Sequence, residues 1–152
     1  MAQNSLCNVQ YAVVFVKTHE ADCQKIASDL QVPVENILGL AAHESWYGKG
    51  RIADKLNNYF SMHAPSKYQI GFEAPLGDPK GKVSRFKDFK ACADSFADRF
   101  GDAVTGKKDP ADFAQALIRK GFNSGKASNG GSSSFARDLV NIIGAVKVRL
   151  AC

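Results

Sequence analysis

Ala42-His43-Glu44-Ser45-Trp46-Tyr47-Gly48-Lys49 closes an apolar run that begins after Pro33, and Asn57-Asn58-Tyr59-Phe60 begins thirteen residues beyond the glutamate. Pro33 suits a first helical turn. From there Ile37, Leu40, Ala41 and Glu44 fall at helical spacing on one face, which predicts a helix from Val34 to Tyr47. Gly48 and Gly50 are placed to end it. The pattern sets a carboxylic acid at the end of an apolar helix face, beside two aromatic rings and a glycine turn.

Working outward, Val9 to Asp29 carries helical patterning that we expect to break near Thr18-His19. Lys67 to Ala74 alternates, with Tyr68, Ile70, Phe72 and Ala74 set against Gln69, Gly71 and Glu73, which predicts a strand. A turn-rich loop follows from Pro75 to Gly81, and Lys82 to Phe86 can return as its partner strand. Asp88 to Phe100, Ala111 to Lys120 and Ser134 to Val148 read as three more helices. Gly121 to Ser134 is too rich in Gly, Ser and Asn to pack, and no internal repeat is present. The expected fold is mainly α (α+β): one helical domain over residues 1–152 carrying one small β-hairpin.

With 152 residues the chain is long enough to bury a core unaided. Its net charge of +5 suits anionic partners such as cell wall, nucleic acid or a membrane surface. The basic residues are scattered rather than striped, so nucleic acid is not the expected partner. No stretch is long enough to insert in a membrane, and Tyr11 to Val16 lacks the flanks of a signal peptide. Export would then use another route, or a leader outside this sequence. Cys7, Cys23, Cys92 and Cys152 contain no C-x-x-C pair, so no zinc site is expected. Their even number reads as two disulfides in an oxidising compartment, with pairing left open among three connectivities; four buried thiols are the alternative.

Glu44 is the residue whose surroundings suggest chemistry. Partial burial disfavours its charged form, and so does the negative end of a helix dipole. Both suit a carboxyl that donates a proton, as cleavage of a glycosidic bond requires. A glutamate making only a capping contact is the structural alternative. Trp46, Tyr47, Tyr59 and Tyr68 are candidate platforms for pyranose rings, because an aromatic face gives broad apolar contact. His43 points about 100° away from Glu44 on an ideal helix and is read as structural or surface. His19 and His63 are isolated, and neither a metal set, a nucleophilic serine elbow nor a phosphate loop is present. We expect no cofactor, and we read Gly130 to Ser134 as a flexible rim loop.

Glu44-Ser45-x-aromatic-Gly48-Lys49, then Ile52-Ala53, then Asn57-Asn58-x-Phe60 resembles the bacterial peptidoglycan glucosaminidase family of autolysins and flagellar wall hydrolases. That family's motif runs Glu-Ser-Gly-Trp-Gly-Lys and reaches Asn-Asn-Leu-Phe-Gly-Ile-Lys at the same spacing. Phe86-Lys87-Asp88-Phe89, Ala91, Asp94-Ser95, Asp98 and, weakly, Gly121-Phe122 extend the likeness, which covers roughly Val34 to Ile143. The resemblance implies a lysozyme-like helical fold and peptidoglycan glycan strands as substrate. It implies Glu44 as the catalytic acid, Tyr47 in place of a family Trp, and Asn57, Asn58 and Phe60 beside the cleft. Trp46 replaces a glycine, Ser61-Met62-His63 replaces Gly-Ile-Lys, and Phe122 stands where the family has a Tyr.

The resemblance also places a second carboxylate on the hairpin, where Glu73 is the first choice and Asp78 the alternative. Such a group would activate water at roughly 6.5–9.5 Å from the acid or act as nucleophile at about 5 Å. Substrate assistance would need neither. The implied activity is a β-N-acetylglucosaminidase. Muramidases and lytic transglycosylases share the helix-ending Glu-Ser but follow it with a Gly-Leu-Met-Gln-type segment, which is missing here. A wall-binding module without catalysis is the reading of another class. The expected setting is a type VI secretion effector acting in a target cell's periplasm, with a cognate immunity protein occluding the cleft at Glu44; a phage lysin is the alternative.

Overall fold

The computed structural model describes residues 5–74, 81–126 and 131–152. A 3-10 turn at Ser5–Asn8 leads into α1 (Gln10–Leu30), α2 (Val34–Ser45) and the short α3 (Arg51–Leu56). Strands β1 (Gly71–Glu73) and β2 (Val83–Arg85) follow, then α4 (Phe89–Val104), α5 (Pro110–Lys120) and α6 (Phe135–Leu150). The mainly helical fold with one small antiparallel sheet is the expected one.

Helix α2 runs through the middle of the core, packed between α1 and α6. Residues Asn36 to Ala42 are all buried, so this helix is held by packing on every side rather than by one apolar stripe. Gly39 is what lets α6 in. A Cβ there would lie 2.7 Å from Ile143 Cγ1 and 3.0 Å from Ile143 Cα. Asn36 donates to the carbonyls of Lys107 and Lys108, tying the start of α2 to the α4–α5 loop.

Helix α1 corrects one expectation, because it continues through Thr18-His19. The Thr18 hydroxyl is absorbed within the helix by donating to Val14 O at 2.7 Å. The His19 ring stacks on Phe89 of α4 with centroids 3.9 Å apart. Helices α4 and α5 start on aspartate caps: Asp88 accepts from Ala91 N and Asp109 from Asp112 N. Gly121 closes α5 in the left-handed conformation, with φ of 91°.

The cysteines correct a second expectation. Cys7 and Cys152 form one disulfide that joins the two ends of the chain. Cys23 and Cys92 are buried thiols on α1 and α4. The Cys92 sulfur accepts from Tyr59 N and lies 3.7 Å from Asn58 Oδ1. No described helix is long and apolar enough to cross a membrane.

The strand at 67–74 is shorter than its alternation. Only Gly71, Phe72 and Glu73 pair, with Arg85, Ser84 and Val83. Before them Ser66 and Gln69 close a turn, with Ser66 N donating to Gln69 Oε1, and Tyr68 takes a φ of 70°. The apolar row Tyr68, Ile70 and Phe72 faces solvent.

Candidate active site

The end of α2 is a sharp reversal. Trp46, Tyr47 and Gly48 all have positive φ (54°, 54° and 79°), and only the glycine adopts it at no steric cost. Ser45 holds the reversal together: its hydroxyl donates to Ala41 O at 2.6 Å and accepts from Gly48 N at 2.9 Å. Gly50 N then bonds Ser45 O, and α3 begins at once. Glu44 is therefore fixed in the last turn of a buried helix, with its side chain only 13% exposed.

That side chain lines a cavity of about 340 Å³ between the end of α2, α3 and the hairpin. Glu73 lines the same cavity, with Arg51, Lys55 and Val83 among its other walls. The two carboxylates have unlike surroundings. Glu44 Oε2 lies 2.6 Å from Nδ1 of His43 in a nearly enclosed setting. Glu73 is half exposed and pairs with Arg85, Nη2 to Oε1 at 2.7 Å. The structure thus brings Glu44 and the hairpin glutamate to one space; Asp78 lies outside the described residues, as does Gly130.

The aromatic candidates divide. Trp46 is 77% exposed beside the acid, and Tyr68 is 52% exposed on the hairpin with the Lys67 ammonium 5.3 Å from its ring centre. Tyr47 turns instead toward α1 and α6. Its ring meets Tyr11 and Phe15 edge-on, and its hydroxyl accepts from Arg149 Nη1. Burial raises the Tyr47 pKa against the opposing pull of the Arg149 charge. Tyr59 packs on Phe89 and His19, and burial raises its pKa as well.

Three expected contact residues are structural supports. Phe60 is fully buried, stacked on Phe96 at 4.9 Å, and has no face to offer a sugar. Asn58, also buried, donates to Met62 O and Ser84 O and accepts from Met62 N and the Cys92 thiol, so its amide is engaged within the fold. Asn57, left-handed at the end of α3, donates to Phe86 O and Lys87 O. Together the two asparagines tie the end of α3 to the return strand, whose partner β1 carries Glu73. Phe122 meets Phe96 and Phe100 edge-on and lines a second cavity of about 280 Å³ with His63, Arg99 and Lys120. The two cavities flank one strand pairing, since Val83 of the first is bridged to His63 of the second.

The sequence reading missed His43, Arg85 and the α3 wall. Helical spacing turned His43 away from Glu44, yet the two side chains meet, Nδ1 to Oε2 at 2.6 Å. Arg85 required the hairpin register. Among the described residues no group of three or more His, Cys, Asp or Glu gathers to hold a metal.

A family profile described as glucosaminidase, mannosyl-glycoprotein endo-beta-N-acetylglucosaminidase, matches residues 20–148. The chain belongs to the glucosaminidase family. It is a glycoside hydrolase by that membership. This glucosaminidase is similar to a type VI secretion system effector solved in an effector–immunity complex from Pseudomonas protegens. The two are 55% identical, with 98% of this chain and 100% of that chain covered and a TM-score of 0.88. It is also similar to a peptidoglycan hydrolase from Sphingomonas sp. A1, at 25% identity, 91% and 93% coverage and a TM-score of 0.75. The glycoside hydrolase domain of Salmonella typhimurium FlgJ shares the fold, at 20% identity, 92% and 91% coverage and a TM-score of 0.65. Comparison with curated protein sequences gives no match.

Proposed function

We propose that this glucosaminidase cuts the glycan strands of peptidoglycan at the bond after N-acetylglucosamine, with Glu44 donating the proton to the leaving oxygen. The observation that carries the reading is the pairing of an enclosed glutamate with a second, exposed glutamate across one cavity. Glu44, enclosed at the end of α2 with its side chain 13% exposed, suits the acid. Glu73, open to solvent and held by Arg85, suits a base that draws a proton from the attacking water. Trp46 and Tyr68 offer exposed aromatic faces for the sugars. Arg51 and Lys55 on the α3 wall suit a polymer that carries carboxylates.

Likeness to the effector from the Pseudomonas protegens complex supports an antibacterial role. In this reading the protein is delivered by a secretion machine to a target cell's periplasm, and an immunity protein covers the cavity at Glu44. Expression directed to the periplasm of a susceptible Gram-negative host should cause lysis, and survival of that host would remove the effector reading.

Mass spectrometry of the products tests the bond. Fragments with reducing-end N-acetylglucosamine are expected. Reducing-end or anhydro N-acetylmuramic acid would overturn the choice of bond and move the enzyme to the muramidases or lytic transglycosylases.

A further inference from the structure

Neighbouring residues on a helix do not face each other. His43 and Glu44 nevertheless meet, Nδ1 to Oε2 at 2.6 Å, with side chains only 21% and 13% exposed. The contact forms where α2 ends and the left-handed turn begins. The imidazole is held from its other side by α6. Phe135 meets it edge-on with centroids 5.5 Å apart and planes at 85°. Asp138, one turn along α6, also feels the ring: its carboxyl is held low first by the Ser134 hydroxyl, then by Arg137, with His43 contributing. The ring is therefore clamped between the acid of the cavity and a helix that takes no direct part in it.

We infer that His43 is a positioning residue for Glu44, its Nδ1–H holding Oε2 so that Oε1 is the oxygen presented to the glycosidic bond. This rests on the reading of Glu44 as proton donor. Among the described residues Nδ1 of His43 is the one side-chain partner of the Glu44 carboxyl. Without it the carboxyl can rotate about its terminal torsion, which is broad and roughly two-fold. When Glu44 gives up its proton the same N–H faces a carboxylate, and a hydrogen bond to an ionised acceptor is about twice as strong as a neutral one. The contact thus tightens as the proton leaves. An interaction made mainly in the transition state lowers kcat when removed and leaves KM in place. His43 does not line the cavity, so substrate affinity has no direct contact to lose.

Two variants test this on sacculi against the wild type. His43→Leu keeps the bulk against Phe135 but removes the N–H, and kcat should fall roughly tenfold to hundredfold with KM unchanged. His43→Asn places an amide N–H near the Nδ1 position and should recover most of the loss. Equal kcat in wild type and His43→Leu would overturn the inference. So would a loss that His43→Asn fails to recover, because packing on Phe135 would then be the cause.

A readout independent of activity separates this from the functional reading. In the neutral imidazole, the nitrogen spectrum should show His43 with its proton on Nδ1. In Glu44→Ala it should revert to the Nε2–H form that free imidazole side chains favour. An Nε2–H form in the wild type would refute the positioning role even if sacculi are cleaved. An Nδ1–H form in a protein that cleaves nothing would refute the functional reading instead.

Discussion

Two helical glycines should respond to alanine in opposite directions. Gly39 lies buried in α2, where an added Cβ would sit 2.7 Å from Ile143 Cγ1 and 3.0 Å from Ile143 Cα. Carbon atoms pack best at about 3.5–4.0 Å. The Cγ1 contact can be relieved by a rotamer change, but the Cα belongs to the α6 backbone, so the two helices must separate by about half an ångström. Overpacking of this kind costs about 1–3 kcal/mol. Alanine recovers about 1 kcal/mol through helix propensity. With backbone against Cβ the cost lies in the upper half of its range, and Gly39→Ala should be less stable by about 1–2 kcal/mol. Gly144, exposed on α6 with nothing within 4 Å of its added Cβ, keeps the propensity gain alone. Gly144→Ala should be more stable by about 0.8–1 kcal/mol. For a chain of this size the expected melting shifts are about −3 to −6 °C and +2 to +4 °C. Urea unfolding followed by far-ultraviolet circular dichroism, with the disulfide intact, reads both. A Gly39→Ala midpoint at or above wild type with an unchanged slope would refute the argument that this glycine sets the α2–α6 approach.

Other consequences are open to the same instruments. Joining residues 145 apart, the Cys7–Cys152 bond is worth about 5 kcal/mol in the chain-entropy model, so Cys7→Ser/Cys152→Ser should lose several kcal/mol; an unmoved urea midpoint would contradict this. Cys23 and Cys92 are buried, which pushes the Cys92 thiol up to about 12 and the Cys23 thiol higher still. Two thiols per chain should therefore react with a disulfide reagent in urea and none in the native protein, whereas fast native reaction would show the core to be open. His19 has its pKa lowered by burial, against the opposing charge of Asp22. The unfolded chain then binds the extra proton more readily, so this contribution costs nothing above the unfolded value near 6.5 and destabilises as pH falls below it. His19→Phe should lose less stability than wild type between pH 7.5 and 5, and an equal loss in both would refute the assignment.

Much of this architecture was legible in the chain because local signals agreed with the tertiary packing. Asp88 opens the helix read from Asp88 to Phe100 and caps it, while the helix read from Ala111 starts one residue earlier, at Pro110, on an Asp109 cap. Thr18 misled, because a hydroxyl that satisfies itself on Val14 O does not interrupt a helix whose neighbours bury it. Helix α3 has six residues, too few for a period to show. The turn through Trp46 and Tyr47 was hidden because neither residue type announces a left-handed backbone. Alternation at 67–74 overstated β1, since periodicity records which way side chains point, and the Ser66–Gln69–Ser84 hydrogen bonds claim the first half as a turn.

The motif singled out Glu44, and the fold sets Glu44 and Glu73 on the lining of one cavity. The same motif did not distinguish residues that touch the cleft from residues that build it. Asn57, Asn58 and Phe60 lie close in sequence to the acid, yet their polar or aromatic groups are spent on backbone carbonyls and on Phe96. The cysteines illustrate the same limit. An even count suggested two bonds, while burial of Cys23 and Cys92 in the helix core left one.

The central claim is that Glu44 supplies the proton for glycan cleavage, and release of soluble fragments from purified sacculi by wild type and Glu44→Gln tests it most directly. Sacculus binding should be measured on the same samples. The amide keeps the shape of the side chain but has no acidic proton, so release should fall by roughly 10²–10⁴-fold while binding persists. Release by Glu44→Gln at the wild-type rate would contradict the account, as would two proteins that bind sacculi equally and solubilise nothing.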